Sequence, residues 1–201
     1  MLGNDVVDLA DPETRAGAQH PRFAARVFTP AERAALANAR DPQRLRWRLW
    51  AAKEAAYKCV KQLDPGACFS PQRFEVELGN GRLEHVVHAG RRLRVALWED
   101  GDALVAIATD GADPEQGVLR VLTQLPVAAD ARDASTAVRT LARDAAAGWI
   151  GCTPHELAFT RAGRAPRLTL RGAPLRLDVS LAHHGRFVAA ALAAPAGSAA
   201  R

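Results

Sequence analysis

The segment from Leu45 to Leu63 constrains the fold more than any other, because it reads as one long helix whose face opposite the core carries large aromatics as well as charges. At about 100° per residue, Leu45, Leu49, Ala52, Ala56, Val60 and Leu63 gather into an aliphatic stripe, the expected core face. The opposite stripe carries Trp47, Trp50, Glu54, Lys58 and Lys61, two large aromatics beside a carboxylate and two amines. The chain has three lysines against twenty-four arginines, and all three (Lys53, Lys58 and Lys61) fall in this segment. Lysine confined in this way points to a place where a flexible ammonium is wanted rather than a planar guanidinium. Two readings stand side by side. Glu54 and Lys58 are also an ordinary i,i+4 pair, contributing about 0.2 to 0.5 kcal/mol on any exposed helix, and Trp often half-buries at a domain edge. The alternative is that the polar stripe lines a site.

The rest of the chain supplies the partners for that helix. The opening LGNDVVDL reads as a short strand, followed by a helical stretch from about Pro21 to Val27. Thr29-Pro30-Ala31-Glu32 is a capped helix start with Pro at the first position, and Asp41-Pro42 opens the long helix in the same way. Pro65-Gly66 follows its end. Four runs of strand character come next, Arg73 to Leu78, Arg82 to Ala89, Arg92 to Glu99 and Ala103 to Thr109, separated by Gly-Asn-Gly, Gly-Arg and Asp-Gly-Asp turns, an expected antiparallel meander. The polar Asp110 to Gln116 is the expected boundary. Beyond it the pattern recurs, with a strand from Val118, a helix from about Ala134 to Trp149, and short strands around Leu157 to Arg161, Arg167 to Leu170, Arg176 to Ala182 and Arg186 to Ala193. The expectation is an α+β protein of two pseudo-symmetric modules, each a small antiparallel sheet packed with helices. Their expected bounds are 1–112 and 117–195, with 196–201 a frayed tail.

Composition narrows the function classes. With 201 residues and 48% hydrophobic content the chain can bury a substantial core. A net charge of +5 draws it toward anionic partners, whether nucleic acid, phosphorylated ligands or an acidic protein surface. Cys59, Cys68 and Cys152 form no CxxC and are odd in number, so neither a disulfide framework nor a zinc site is indicated, and a reducing cytoplasm fits. The N-terminus is acidic where a signal peptide would be basic and then apolar, and no apolar run reaches membrane-spanning length. No Walker loop, GxGxxG, HExxH or GxSxG is present.

Three short motifs remain. Asp5 follows Gly3 in a strand, a common way to present a hard oxygen ligand to Mg²⁺, although Asp5 and Asp8 could equally be turn and capping acids. By the two-residue period of a strand, Asp5 and Val7 share one face while Asp8 lies on the other. Ser180-Leu181-Ala182-His183-His184-Gly185 ends a strand with paired histidines, of which one could serve a given site. Arg161, Gly163-Arg164-Ala165-Pro166 and Arg167 form a basic turn able to hold a phosphate.

Together and in this order, these pieces resemble the 4′-phosphopantetheinyl transferases. The GxD strand is Gly3-Asn4-Asp5, the FxxxE helix start is Phe28 to Glu32, the WxxKEAxxK helix is Trp50 to Lys58, and the SxSH-type turn is Ser180 to His183. The resemblance implies two α+β halves with coenzyme A in the cleft between them and Mg²⁺ or Mn²⁺ on Asp5 and Glu54. It further implies Glu54 and Lys58 as catalytic residues, and nucleotide contacts from His183, Ser180, Lys53, Lys61, Arg161 and Arg164. The order of the halves is swapped relative to the larger monomeric members of the family. Val7 stands where they carry a further acid, which leaves a third protein ligand unassigned, and Ala182 and His184 replace the serines around His183. The implied reaction is transfer of phosphopantetheine from coenzyme A to a serine of an acyl or peptidyl carrier protein, by a cytoplasmic monomer that needs neither nucleic acid nor membrane. Two rivals follow from the same residues. A basic nucleic-acid-binding module would need aromatics spaced for stacking, and these make up 5% of the chain. A non-catalytic relative would bind coenzyme A or a carrier protein without transfer.

Overall fold

The computed structural model describes residues 1–79, 82–111, 113–126, 130–162 and 165–194. Strand β1 (Leu2–Asp8) is followed by helices α1 (Phe23–Val27), α2 (Pro30–Asn38) and α3 (Pro42–Leu63), and then by strands β2 (Glu75–Gly79), β3 (Arg82–His88), β4 (Arg91–Asp100) and β5 (Ala103–Thr109). The remainder comprises β6 (Val118–Gln124), α4 (Ala131–Ile150), β7 (Leu157–Ala162), β8 (Ala165–Leu170), the two-residue β9 (Ala173–Pro174), β10 (Asp178–His184) and β11 (Phe187–Ala193). The architecture is α+β with antiparallel sheets. One five-stranded sheet has the order β1-β5-β4-β3-β2, and two three-stranded sheets have the orders β10-β11-β6 and β7-β8-β9. The first strand before each long helix pairs with the last strand after it, β1 with β5 and β6 with β11.

Local chemistry sets the helix ends. Thr29 and Glu32 form a reciprocal capping box at α2, and the Asp41 carboxylate accepts from the Arg44 N–H at 2.9 Å at α3. Helix α4 starts three residues before the sequence pattern suggests, because Asp130 caps it and Asp133 returns the bond. Its end is set by Gly151, whose φ of 74° is a left-handed stop that costs glycine little. At α1 the expected start at Pro21 moves to Phe23, with the His20 ring accepting from the Arg22 N–H in the preceding turn. The Gly-Asn-Gly turn reaches into 80–81, and the expected tail at 196–201 lies outside the described residues altogether.

Helix α3 is enclosed on more than one side. Its aliphatic stripe joins Phe74, Val76, Leu83, Val86 and Leu93 in the main core. The small residues Ala51, Ala55 and Cys59, one turn apart and fully buried, admit β1 at close range. At Gly3 a Cβ would fall 2.1 Å from the Ala55 carbonyl oxygen and 2.5 Å from the Cys59 nitrogen, so the crossing requires glycine. The two tryptophans expected on the site stripe are spent on packing instead. Trp47 is buried and donates its indole N–H to the Thr14 carbonyl at 2.9 Å, while Trp50 lies against Phe23 and Phe69. The N-terminal segment covers that end of the helix, and an indole buries more apolar surface there than it could in an open cleft.

All seven residues of β1 are buried. Gly3, Asp5 and Val7 face α3, whereas Leu2 and Val6 pack against β11 and its neighbours. As the edge strand of its sheet β1 would present unpaired backbone groups. Side chains from elsewhere satisfy them: Ser180 accepts from the Asn4 N–H at 2.8 Å, and the His184 ring accepts from the Asp8 N–H at 3.1 Å. Gln62 donates to the Leu2 carbonyl at 2.7 Å and to the Val179 carbonyl at 3.0 Å. The first and last thirds of the chain thus meet along this strand. No helix among the described residues is long and apolar enough to cross a membrane.

Candidate active site

Strand β1 and helix α3 run in opposite directions, so that Leu2 meets Gln62 while Asp5 meets Lys58. The close approach that Gly3 permits brings Asp5 onto the polar stripe of the helix. Lys58 donates to the Asp5 carboxylate at 2.8 Å. One turn earlier, Glu54 feels the Asp5 charge. Burial first, and then that like charge, push its carboxyl up to about 7, with Lys58 pulling the other way. Two neighbouring carboxylates that repel are a donor set for a hard cation, and Mg²⁺ in particular takes one or two carboxylates together with waters and phosphate oxygens. The residues present fit such an ion. Among the described residues no three His, Cys, Asp or Glu side chains come together as a complete protein cage.

Lys58 also lines a cleft of about 850 Å³ between α3, α4, β7, β8 and β10, which places Asp5, its partner, beside that cleft. Lys58, Lys61 and Gln62 form one wall, Arg139 from α4 another, and Ser180 and His183 from β10 a third. Partial loss of water around its ring, together with the charge of Lys58, holds the His183 imidazole below its ordinary range. Neighbours on a strand alternate, and the two histidines separate accordingly: His183 lines the cleft while His184 is committed to the β1 backbone.

The remaining expected residues distribute unevenly. Lys61 lines the cleft, but its ammonium already donates to the Pro65 and Ala67 carbonyls at 2.6 and 2.5 Å. Ser180 also lines the cleft, and its oxygen accepts from β1. Lys53 corrects the expectation of a phosphate contact. Its side chain is 0% exposed and paired with Glu32 at 2.8 Å, and it donates to the Pro71 and Phe74 carbonyls at 2.9 and 2.6 Å. On the helix it lies one position before Glu54, which turns it about 100° away from the cleft and into the core. Asp8, on the face opposite Asp5, is taken up by Arg186, which donates two guanidinium bonds of 2.8 Å and a backbone bond of 3.0 Å. It therefore does not join Asp5. Arg161 belongs to β7, its side chain lying outside the described residues, as does Arg164.

Sequence reasoning passed over Gln62 and Arg139. Gln62 was within reach, because it extends the Glu54, Lys58 stripe by one more turn. Arg139 carried no signal among twenty-four arginines.

A family model for the 4′-phosphopantetheinyl transferase superfamily matches residues 1–108. The mitochondrial holo-acyl-carrier-protein synthase of Eremothecium gossypii is 31% identical over 127 residues, covering 54% of this chain and 73% of that protein. The crystal structure of Thermotoga maritima holo-acyl-carrier-protein synthase aligns with a TM-score of 0.41 and 15% identity, covering 86% of this chain and 83% of the other.

Proposed function

The chain belongs to the 4′-phosphopantetheinyl transferase superfamily, and we propose that it transfers the 4′-phosphopantetheine group of coenzyme A to a serine of an apo acyl or peptidyl carrier protein. The observation that carries this reading is that Lys58, paired with Asp5 and one turn from Glu54, lines the same cleft as His183 from the other end of the chain.

In the proposed reaction the serine oxygen bonds to the β-phosphorus of coenzyme A. The bond from that phosphorus to the bridging oxygen breaks, and adenosine 3′,5′-bisphosphate leaves. Glu54, directly or through a bound water, accepts the serine proton. Lys58, one turn along α3, meets the charge that gathers on the departing phosphate. Arg139 and His183 hold the nucleotide end, and Phe159 and Leu181 give the pantetheine arm an apolar wall. Mg²⁺ or Mn²⁺, held by Asp5 and Glu54, would neutralise the pyrophosphate. The net charge of +5 favours encounter with an acidic carrier surface. That both walls of the cleft come from one chain supports an active monomer, built of two strand, helix, sheet units bounded by 1–112 and 117–195.

The test is incubation with coenzyme A, Mg²⁺ and candidate apo-carrier proteins, each followed by mass spectrometry for the added phosphopantetheine, on fractions of known mass from light scattering. Asp5→Asn and Glu54→Gln are expected to abolish transfer while leaving the thermal transition in place. Near wild-type turnover by either variant refutes the assignment of the two carboxylates. Binding of coenzyme A without any mass increase identifies a non-catalytic relative, and activity confined to a trimer refutes the single-chain cleft.

A further inference from the structure

On the face of β1 away from α3, a second cavity of about 300 Å³ opens between the five-stranded sheet and β6. Val105 and Ile107 of β5 and Leu122 of β6 give it apolar walls. Trp98 of β4 closes one side, with the Arg120 guanidinium 3.9 Å from the ring centre. Glu99, at the rim, is already paired with Arg44 and lies 3.8 Å from Arg48.

The group that gives this space a chemistry is Asn4. Asn4 is one of the lining residues and is itself 1% exposed. The amide nitrogen donates to the Ala189 carbonyl at 3.1 Å, and the amide oxygen has no partner among the described residues. Turning the amide over does not repair this, since it would set oxygen against the Ala189 carbonyl and lose the existing bond. A buried acceptor left alone costs free energy that a donor would recover. The remaining lining is largely apolar, and its charged members, Arg120 against Glu99 and Asp100, are of both signs, so no single charge on a ligand is favoured and a neutral one loses the least hydration. The volume is at the lower end for small-molecule pockets, enough for one or two rings.

We propose that this cavity binds a small neutral aromatic molecule carrying one N–H or O–H, which donates to the Asn4 amide oxygen while its ring lies beside the Trp98–Arg120 pair. The site does not depend on the transfer reaction. Asn4 and Asp5 point to opposite faces of β1, and the cavity shares none of its lining with the cleft.

The experiment titrates the ¹⁵N-labelled full-length protein with indole and, separately, with benzothiophene, which has the same shape and no N–H. Indole is expected to shift the Asn4 side-chain amide and the Trp98 indole resonance saturably. Benzothiophene is expected to bind about tenfold more weakly, the loss of one hydrogen bond to a buried acceptor. Leu122→Trp, or Leu122→Phe should the larger residue prevent folding, fills the cavity and is expected to remove the indole response. The proposal is overturned by any of three results: no saturable shift up to the solubility of indole, as when the amide oxygen holds water only; equal affinity for the two probes; or an indole response that survives in the filled variant.

Discussion

At the scale of single residues, the three lysines of α3 sit in three environments although they share one segment. Lys58 lines the cleft and holds Asp5 beside it, Lys61 is half-committed to the carbonyls that follow the helix, and Lys53 lies in the core on Glu32. Arginine forms ion pairs at least as well as lysine, so a Lys58 that served only Asp5 would tolerate replacement. With the proposed role on the departing phosphate, Lys58→Arg misplaces the charge. The expected loss in kcat/KM for coenzyme A is tenfold or more, about 1.4 kcal/mol of transition-state stabilisation. Lys61→Arg, measured beside it, is expected to lose less, and equal small losses at both positions refute the role. For Lys53 the expected effect is on folding instead. The Glu32 carboxylate also accepts from the Thr29 and Val76 N–H groups at 2.8 Å, so Lys53→Met leaves a buried, fixed negative charge without its counter-ion. Denaturant unfolding should show a loss of about 3–5 kcal/mol, with a double variant that also carries Glu32→Gln recovering part of it.

At the scale of elements, the contact of β1 with α3 decides whether there is a site at all. The strand must pass close enough for Asp5 to meet Lys58 and Glu54, and what permits the passage is the missing side chain at Gly3 over the small face of Ala55 and Cys59. Gly3→Ala would drive its methyl into helix backbone, where nothing can rotate aside. Unfolding measurements are expected to show a loss of about 1–3 kcal/mol from overpacking. The more telling result is turnover well below what the folded fraction accounts for, because moving the strand separates Asp5 from Glu54. Full activity per folded molecule would mean that the spacing of the two carboxylates is not critical.

At the scale of the whole molecule, β1 is held to the C-terminal region by a small number of polar links, and the strongest of them is titratable. Hydrogen bonds from the Arg186 side chain, ahead of its backbone bond and charge, hold the Asp8 carboxyl down at about 2. An unfolded aspartate titrates near about 3.9. The folded value is the lower one, so the stabilisation is fully present above about pH 4 and is lost as the pH falls through about 2. Asp8→Asn should therefore be less stable than the parent at neutral pH by on the order of 2 kcal/mol. The gap should close on acidification across that window, and a gap that stays constant with pH would rule out the charged pair as its source.

Much of this protein was legible in the chain alone, because it depends on neighbours in sequence. The capped helix starts at Thr29 and Asp41, the meander after α3, and the separation of Asp5 from Asp8 all follow from local geometry and from periods of two and 3.6. The placing of Glu54 and Lys58 on one stripe is of the same kind. What the chain could not show is how its ends meet. Whether Lys53 faces a ligand or a buried glutamate, whether Trp50 lines a cleft or packs on Phe23, and which histidine enters the site depend on contacts between residues far apart in sequence. Periodicity assigns a side chain to a face, but the burial, counter-charges and close approach that give the face its chemistry exist only once β1 has settled between α3 and β10.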